Sequence, residues 1–402
     1  MNLTAKTRNR LHLQDRVVTS RFSSLLTAHS ALFTSSSPLF PRTPLFPASG
    51  PATGSFKGLR AKSKILAAAC LLASVPGGSH AEDARSRAQR SPQEVATALA
   101  AHYGHSMKEV AYIPALAMIG RLDVAAWTAD ASVLPEVERI AAGATTPPGQ
   151  LSGSTMAGHL IYARLGQVER VSAALGMALD AAGQPVKSLP NSGQMSDSVF
   201  MDCPLLAAAA RLNGDPRYLV ACRNHYEFMR TMCLRSDGIY RHSPLCEAAW
   251  GRGNGFPALG LALVLRELQP GTPDHAFYQK ELQAHLRALL PHQDKDGLWH
   301  QVIDHPESYA EFSATCMIGF AIHQGLREGW LDRATFGPAA DRAWEAIKLR
   351  IALDGERVEG VCTGTGAQKT LEDYFKRTAI FGRDDRGGAM ALLLAVERAA
   401  AK

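Results

Sequence analysis

The stretch Trp250-Gly251-Arg252-Gly253-Asn254-Gly255-Phe256 sets an aromatic ring and a guanidinium two residues apart on a backbone with three glycines. Glycine permits tight turns and close backbone approach. A flat apolar face beside a fixed cation is what a pocket for an acidic sugar needs: a ring to stack on and a fork for a carboxylate. Phe256 is either a second wall of that pocket or the first core residue of a predicted helix Pro257–Leu268. Three further places carry polar chemistry. Ser196 and Asp197 stand directly before the apolar Ser198-Val199-Phe200-Met201, where either residue reads as a helix N-cap. His242 closes the turn-like Asp237–His242 and reads as a loop histidine. The glycine-flanked loop Cys362-Thr363-Gly364-Thr365-Gly366 offers amides, with the hydroxyls of Thr363 and Thr365, to a carboxylate.

Charge is unevenly spread over the 402 residues. The net value is +6, yet residues 1–81 hold ten Lys/Arg and one acid, or +9, so the remainder carries 6 − 9 = −3. A slightly acidic body gives no electrostatic case for nucleic acid binding. Residues 57–81 read as a secretory signal. A basic flank (Lys57, Arg60, Lys62, Lys64) precedes the apolar run Ile65–Val75, then Pro76-Gly77-Gly78 and Ser79-His80-Ala81 lead to a cut before Glu82. That run is too short to span a bilayer, so the protein is expected to be exported, periplasmic or secreted, with no membrane span. Residues 1–56, rich in Ser, Thr and Pro, are expected to be a non-structural upstream extension, and residues 82–402 one domain. Of seven cysteines, six lie in that domain and none form C-x-x-C. A zinc site is therefore not indicated. Cys203 and Cys316 are expected in the core, and one disulfide is possible.

The elements that must position these residues read as helices. Predicted segments are Val110–Ala126, Gly158–Leu179, Ser198–Leu212, Pro216–Met232, Pro257–Leu268, His275–Leu290, Phe312–Arg327, Arg333–Ile351 and Gly388–Ala400. No stretch shows sustained β-branched alternation. Asp237-Gly238, Asp296-Gly297 and Asp354-Gly355 recur 59 and 58 residues apart, and Asp180 lies 57 before the first. A period near 58 holds two helices and two loops. Hairpins that cannot bury their apolar stripes alone are expected to close into a ring of inner and outer helices, an all-α toroid, rather than an open solenoid.

With that pattern, the chain resembles the unsaturated uronyl hydrolases of glycoside hydrolase families 88 and 105, from about Ala111 to Glu397. The resemblance rests on six pieces in order: Asp197–Pro204, Asp237–His242, Trp250–Phe256, Gly297–Val302, Ser308–Thr315 and Gly360–Gly366. It implies an (α/α)6 six-hairpin barrel and a glycosidase that removes a 4,5-unsaturated uronic acid from the non-reducing end of lyase-made oligosaccharides. The implied parent polymer is pectic rhamnogalacturonan, with other polyanionic polysaccharides as alternatives. The chemistry is hydration of an enol ether, with no metal or organic cofactor. It differs from the two-carboxylate displacement of ordinary glycosidases. The resemblance assigns Asp197 as the acid, and His242, Trp250, Arg252, Phe256, Thr363 and Thr365 to substrate binding. It casts Trp299, His300, Tyr309 and Glu311 as wall and scaffold. Two departures stand out. Family members often carry a second aspartate where Leu151–Gly158 has none and Ser152 or Ser154 takes the place, and Asp384–Gly388 replaces a segment that often has His-Gly. The first departure brings in a second reading, a catalytically silent saccharide-binding barrel.

Overall fold

The structure, a computed structural model, describes residues 77–146, 151–189 and 193–401. The expected extension and the basic and apolar parts of the expected leader lie outside those residues. Gly77–Ala81 are described as the start of helix α1 (Gly77–Gln89), so the expected cut before Glu82 falls within a helix.

Helices follow in hairpins. After α1 come α2 (Pro92–Ala100), α3 (Tyr112–Thr128) and α4 (Val133–Gly143). After α5 (Gly153–Gly158), the expected single helix Gly158–Leu179 is two pieces, α6 (Leu160–Arg164) and α7 (Val168–Ala174). Gly166 at φ +69° interrupts it, a left-handed conformation that stops helix propagation. The expected Ser198–Leu212 is likewise split into α8 (Ser198–Met201) and α9 (Cys203–Asn213). Pro204 is the cause, because it has no N–H to donate and its ring clashes with the carbonyl one turn back. Then come α10 (Pro216–Cys233), α11 (Gly251–Glu267), α12 (Pro273–Leu289), α13 (Phe312–Arg327) and α14 (Arg333–Leu349). Strand β1 (Val358–Cys362), α15 (Leu371–Phe375), strand β2 (Ala379–Gly382) and α16 (Asp385–Ala400) complete the described chain.

The inner helices make a closed circuit. α3 packs on α5, α5 on α8, α8 on α11, α11 on α13, α13 on α16, and α16 returns to α3. Outer helices back them: α4 on α3, α10 on α9, α12 on α11, α14 on α13, and α2 on α16. Six sectors result, the last formed by the two ends of the described chain, and the architecture is the expected (α/α)6 barrel. Inner helices are buried nearly all round; in α13 every residue from Phe312 to Gly325 is buried.

The repeated Asp-Gly turns follow the outer helices α10, α12 and α14, the first two leading to the inner helices α11 and α13 and the third into strand β1. Gly238, Gly297 and Gly355 sit at φ +88°, +94° and +85°, where a side chain would be strained. These turns put every following inner-helix N-terminus at the same end of the barrel, and the candidate residues gather there. The β1–β2 hairpin covers part of that end, antiparallel with a register shift between Glu359 and Val361. It was not anticipated from the sequence. Cys203 and Cys316 are buried, and all six described cysteines are free thiols. Among the described residues no helix is long and apolar enough to cross a membrane.

Candidate active site

Asp197 is the first residue of this site to separate capping from chemistry. It occupies the N-cap position of α8, yet its side chain makes no capping hydrogen bond. Aspartates at comparable places do cap: Asp215 accepts from the Arg217 amide, Asp332 from Thr335 and Asp384 from Gly387. Asp197 instead turns toward His242, with Oδ1 3.3 Å from His242 Nε2, and its side chain keeps 13% exposure. The capping role expected from sequence alone is not the one the residue plays.

Ser196 brings these two segments together. Its amide donates to the His242 carbonyl at 2.9 Å, and its Oγ donates to the Gly253 carbonyl at 2.6 Å. One buried serine thus ties the approach to α8, the His242 loop and the first turn of α11. His242 is fully buried; its ring lies 4.4 Å from the Trp250 ring, and Nδ1 is 2.8 Å from Tyr374 Oη.

The glycine-rich stretch differs from expectation. Gly251–Gly255 form the opening turns of α11 rather than a loop before it. Small residues are required there by close approach. A Cβ on Gly251 would stand 2.4 Å from the His300 carbonyl oxygen; one on Gly253 would meet Ser196 Oγ at 3.0 Å, Trp250 Cε3 at 3.2 Å and His242 Cδ2 at 3.4 Å. Asn254 anchors the turn before α11, accepting from the Tyr240 amide at 2.7 Å and donating to the Tyr240 and Trp250 carbonyls.

Trp250 is 1% exposed, with the Arg252 guanidinium 4.6 Å over its ring and His242 tilted against it. The expected open stacking platform is therefore a floor beneath two polar groups. Arg252, 2% exposed, donates from Nη1 to Cys362 O at 2.8 Å and to Ser313 Oγ at 3.2 Å, and from Nη2 to Thr363 O at 2.8 Å. Three of its five donors are so engaged, which leaves Nε–H and one Nη2–H. Among the described residues it has no ion-pair partner. A buried guanidinium normally finds a counter-charge.

Phe256 needs a correction. At 1% exposure it stacks on Phe200 (5.4 Å, 16°) and meets Tyr112 edge-on (5.9 Å), so it is a core residue and not a wall of the pocket. The loop after β1 is also largely committed. Thr363 donates its amide to Thr378 O and its carbonyl receives Arg252. Thr365 Oγ1 donates to Thr363 O and accepts from Arg377 Nε, so its hydroxyl holds the loop rather than standing free for a ligand.

Glu311 is scaffold, as expected. It is fully buried and caps α13 through the amides of Ser313 and Ala314, and it also accepts from the Cys362 amide at 2.8 Å and from Ser313 Oγ at 2.8 Å. That carboxylate fastens the end of β1 to α13 and sets Ser313 under Arg252. His300 Nε2 lies 3.1 Å from Asp294 Oδ2, and Trp299 Nε1 donates to Leu289 O. Asp384 caps α16, and the adjacent Arg386 donates to Tyr112 Oη and Cys362 O, closing the rim where the family pattern differs. Ser152 caps α5 through the Thr155 amide, and no acid stands beside it in α5.

Two residues of the site carry no role assigned from the sequence: Tyr374, which has no signal there, and Gln301, which lies within the Gly297–Val302 piece. Tyr374 lies 132 positions from His242, in a short helix headed by Thr370, and burial pushes its phenol pKa well up. Gln301 donates to the Tyr374 carbonyl at 2.7 Å and holds that helix against the connection between α12 and α13.

Residues 186–402 match glycosyl hydrolase family 88, a span that includes Asp197, His242, Trp250, Arg252 and Tyr374 and stops short of Ser152. An unsaturated 3S-rhamnoglycuronyl hydrolase of Formosa agariphila is 28% identical over 169 residues, 38% of this chain and 45% of that protein. An unsaturated rhamnogalacturonyl hydrolase of Bacillus subtilis is 34% identical over 125 residues, 31% of this chain and 34% of that one. The matched stretches thus span less than half the length of these curated relatives. A solved family 105 glycoside hydrolase from C. acetobutylicum has the same fold, with a TM-score of 0.66 at 18% identity over 77% of this chain and 99% of that structure.

Proposed function

The chain belongs to glycosyl hydrolase family 88, and on that premise we propose that it removes a 4,5-unsaturated uronic acid from the non-reducing end of lyase-made oligosaccharides. The observation that carries this reading is Asp197. It heads an inner helix at the barrel mouth, makes no side-chain capping bond and keeps its carboxyl partly exposed beside His242.

The reaction is hydration. The protonated Asp197 carboxyl gives its hydrogen to C4 of the enol ether, and positive charge develops at C5, shared with the ring oxygen. Water adds at C5 and returns a proton to the Asp197 carboxylate, regenerating the acid. The resulting hemiketal opens to a ketone, which leaves a hemiacetal at C1 that releases the aglycone alcohol. One carboxyl alternates as acid and base, a role that positioned proton transfer supports at about 10²- to 10⁴-fold in rate.

The uronate carboxylate is assigned to Arg252, whose free Nε–H and Nη2–H belong to adjacent nitrogens of one planar group. A buried cation without a direct ion-pair partner among the described residues supports that assignment. The loop at Thr363 and Thr365 shapes the rim beside it. The next sugar is assigned as rhamnose, since both curated relatives carry rhamnose in their names, and rhamnogalacturonan is the favoured parent. Export to the periplasm or beyond is part of the same reading, supported by the basic and apolar pattern of residues 57–81.

The absence of an acid beside Ser152 favours one competing reading, a barrel that binds such saccharides without turning them over. Absorbance separates the two. Incubation with a panel of lyase digests should abolish the ultraviolet band of the C4–C5 double bond, fastest for rhamnogalacturonan fragments. A band that persists while the saccharide binds would make the protein a binding barrel.

A further inference from the structure

We infer that Tyr374 is a positioning residue that sets the tautomer of His242, and through it the oxygen of Asp197 that carries the catalytic proton. This rests on the proposed hydrolase reading for its kinetic consequence, though not for its geometry. Tyr374 Oη accepts from the Gln368 amide at 3.2 Å, and its other polar contact is His242 Nδ1 at 2.8 Å. With an amide hydrogen already pointing at the oxygen, the phenolic hydrogen is left for the imidazole. The opposite polarity, Nδ1–H donating to Oη, would leave that hydrogen without an acceptor in a fully buried residue, among the described groups. Burial also keeps the phenol protonated.

An imidazole that accepts at Nδ1 carries its hydrogen on Nε2. That atom lies 3.3 Å from Asp197 Oδ1 without forming a hydrogen bond to it, and both atoms are buried with no other partner among the described residues. With Nε2–H as the nearest donor to the buried Oδ1, we place the acidic proton of Asp197 on Oδ2, the oxygen left to address a bound sugar. Tyr374 therefore does for His242 what an outer-shell partner does for a metal-bound histidine: it fixes the ring's orientation and proton. A phenol in that place, unlike the carboxylate behind a serine-protease histidine, adds no negative charge to the pair.

The surroundings leave the ring little freedom to choose otherwise. Trp250 packs on one side at 4.4 Å, and the Tyr374 ring meets it edge-on at 5.7 Å. The His242 amide donates to Ala248 O, and the His242 carbonyl receives Ser196 N. Gln301 and the Thr370 cap hold the short helix that carries Tyr374.

The test has two arms. Imidazole ¹⁵N spectra of the whole protein, with His242 assigned by its loss in His242→Gln, should show a protonated Nε2 and a bare, hydrogen-bonded Nδ1. In Tyr374→Phe that pattern should give way to exchange between tautomers. Turnover of lyase-made oligosaccharide by Tyr374→Phe should fall about 10- to 100-fold in kcat with KM nearly unchanged, and the pH profile of kcat should change shape, as loss of an oriented proton partner predicts. A wild-type spectrum with hydrogen on Nδ1 overturns the inference whatever the substrate proves to be. So does a Tyr374→Phe variant with wild-type kcat and pH profile. If the wild type hydrates no unsaturated saccharide, the hydrolase reading fails, and the spectrum still decides the tautomer. The wild-type spectrum also decides it if Tyr374→Phe does not fold.

Discussion

At the scale of single residues, the choice between a structural and a chemical role turns on where hydrogen bonds go. Asp197 reads in the sequence as a helix cap, and the fold puts it in the capping position without the capping bond. The freed carboxyl is what makes it a candidate acid. Phe256 shows the opposite outcome, since an aromatic beside an arginine looked like a pocket wall and is stacked on Phe200 in the core. Trp250 and Arg252 fall between these. Both are inside the site, yet the indole is covered and much of the guanidinium is spent on the carbonyls of Cys362 and Thr363. Residue type alone cannot separate a side chain that faces a cavity from one that braces its floor. Burial and hydrogen-bond partners do, and they make Arg252 both a brace and a cation with donors to spare.

At the scale of elements, the start of α11 carries the most meaning per residue. Its glycines read as a turn because glycine is common in turns, yet they open a helix, and close neighbours at each of them favour the absence of a Cβ. Gly253→Ala is the sharpest probe of this. The added methyl would press on Ser196 Oγ, Trp250 and His242, the groups that aim Asp197. Stability should fall by about 1–2 kcal/mol, as overpacking usually costs, and turnover should drop at least about tenfold through misplacement of His242. Urea denaturation and the absorbance assay check the two parts separately, and unchanged turnover would show that His242 placement is unimportant. The long amphipathic helices and the Asp-Gly turns between them were legible, because periodicity and a positive-φ glycine are local properties. The β1–β2 hairpin was not. Its strands have five and four residues, with a register shift in the middle, too short and irregular for alternation to register. The split at Pro204 follows from proline chemistry, which the continuous apolar run through Ser198–Leu212 masks.

At the scale of the whole molecule, the ring of hairpins was anticipated from a repeat near 58 residues, and the return of α16 to α3 completes it. Contacts across long chain separations, such as Tyr374 with His242, had no signature, since nothing local ties one side chain to a partner 132 residues away. The packed interior also sets the acid sensitivity of the fold. His323, on α13, is pushed down to about 3 chiefly by burial, with Arg398 and Arg333 adding to the effect. His159 and His285 are lowered by burial as well. Between the ordinary histidine value of about 6.5 and that lowered one, the unfolded chain binds a proton that the folded chain does not. Stability is therefore full above the window and declines as pH falls through it, by up to about 1.4 kcal/mol per pH unit for each such histidine. His323→Gln should reduce this slope in urea denaturation followed from about pH 7 to about pH 5; an unaltered slope would assign the acid sensitivity elsewhere.

The whole account turns on one carboxyl, and Asp197→Asn tests it most directly. The amide keeps the shape of the side chain and removes the proton donor. Followed by loss of double-bond absorbance on a lyase-made oligosaccharide that the wild type hydrates, the variant should lose at least about 10²-fold in kcat while still binding the saccharide. Turnover at the wild-type rate would contradict the account, because some other group would then be delivering the proton.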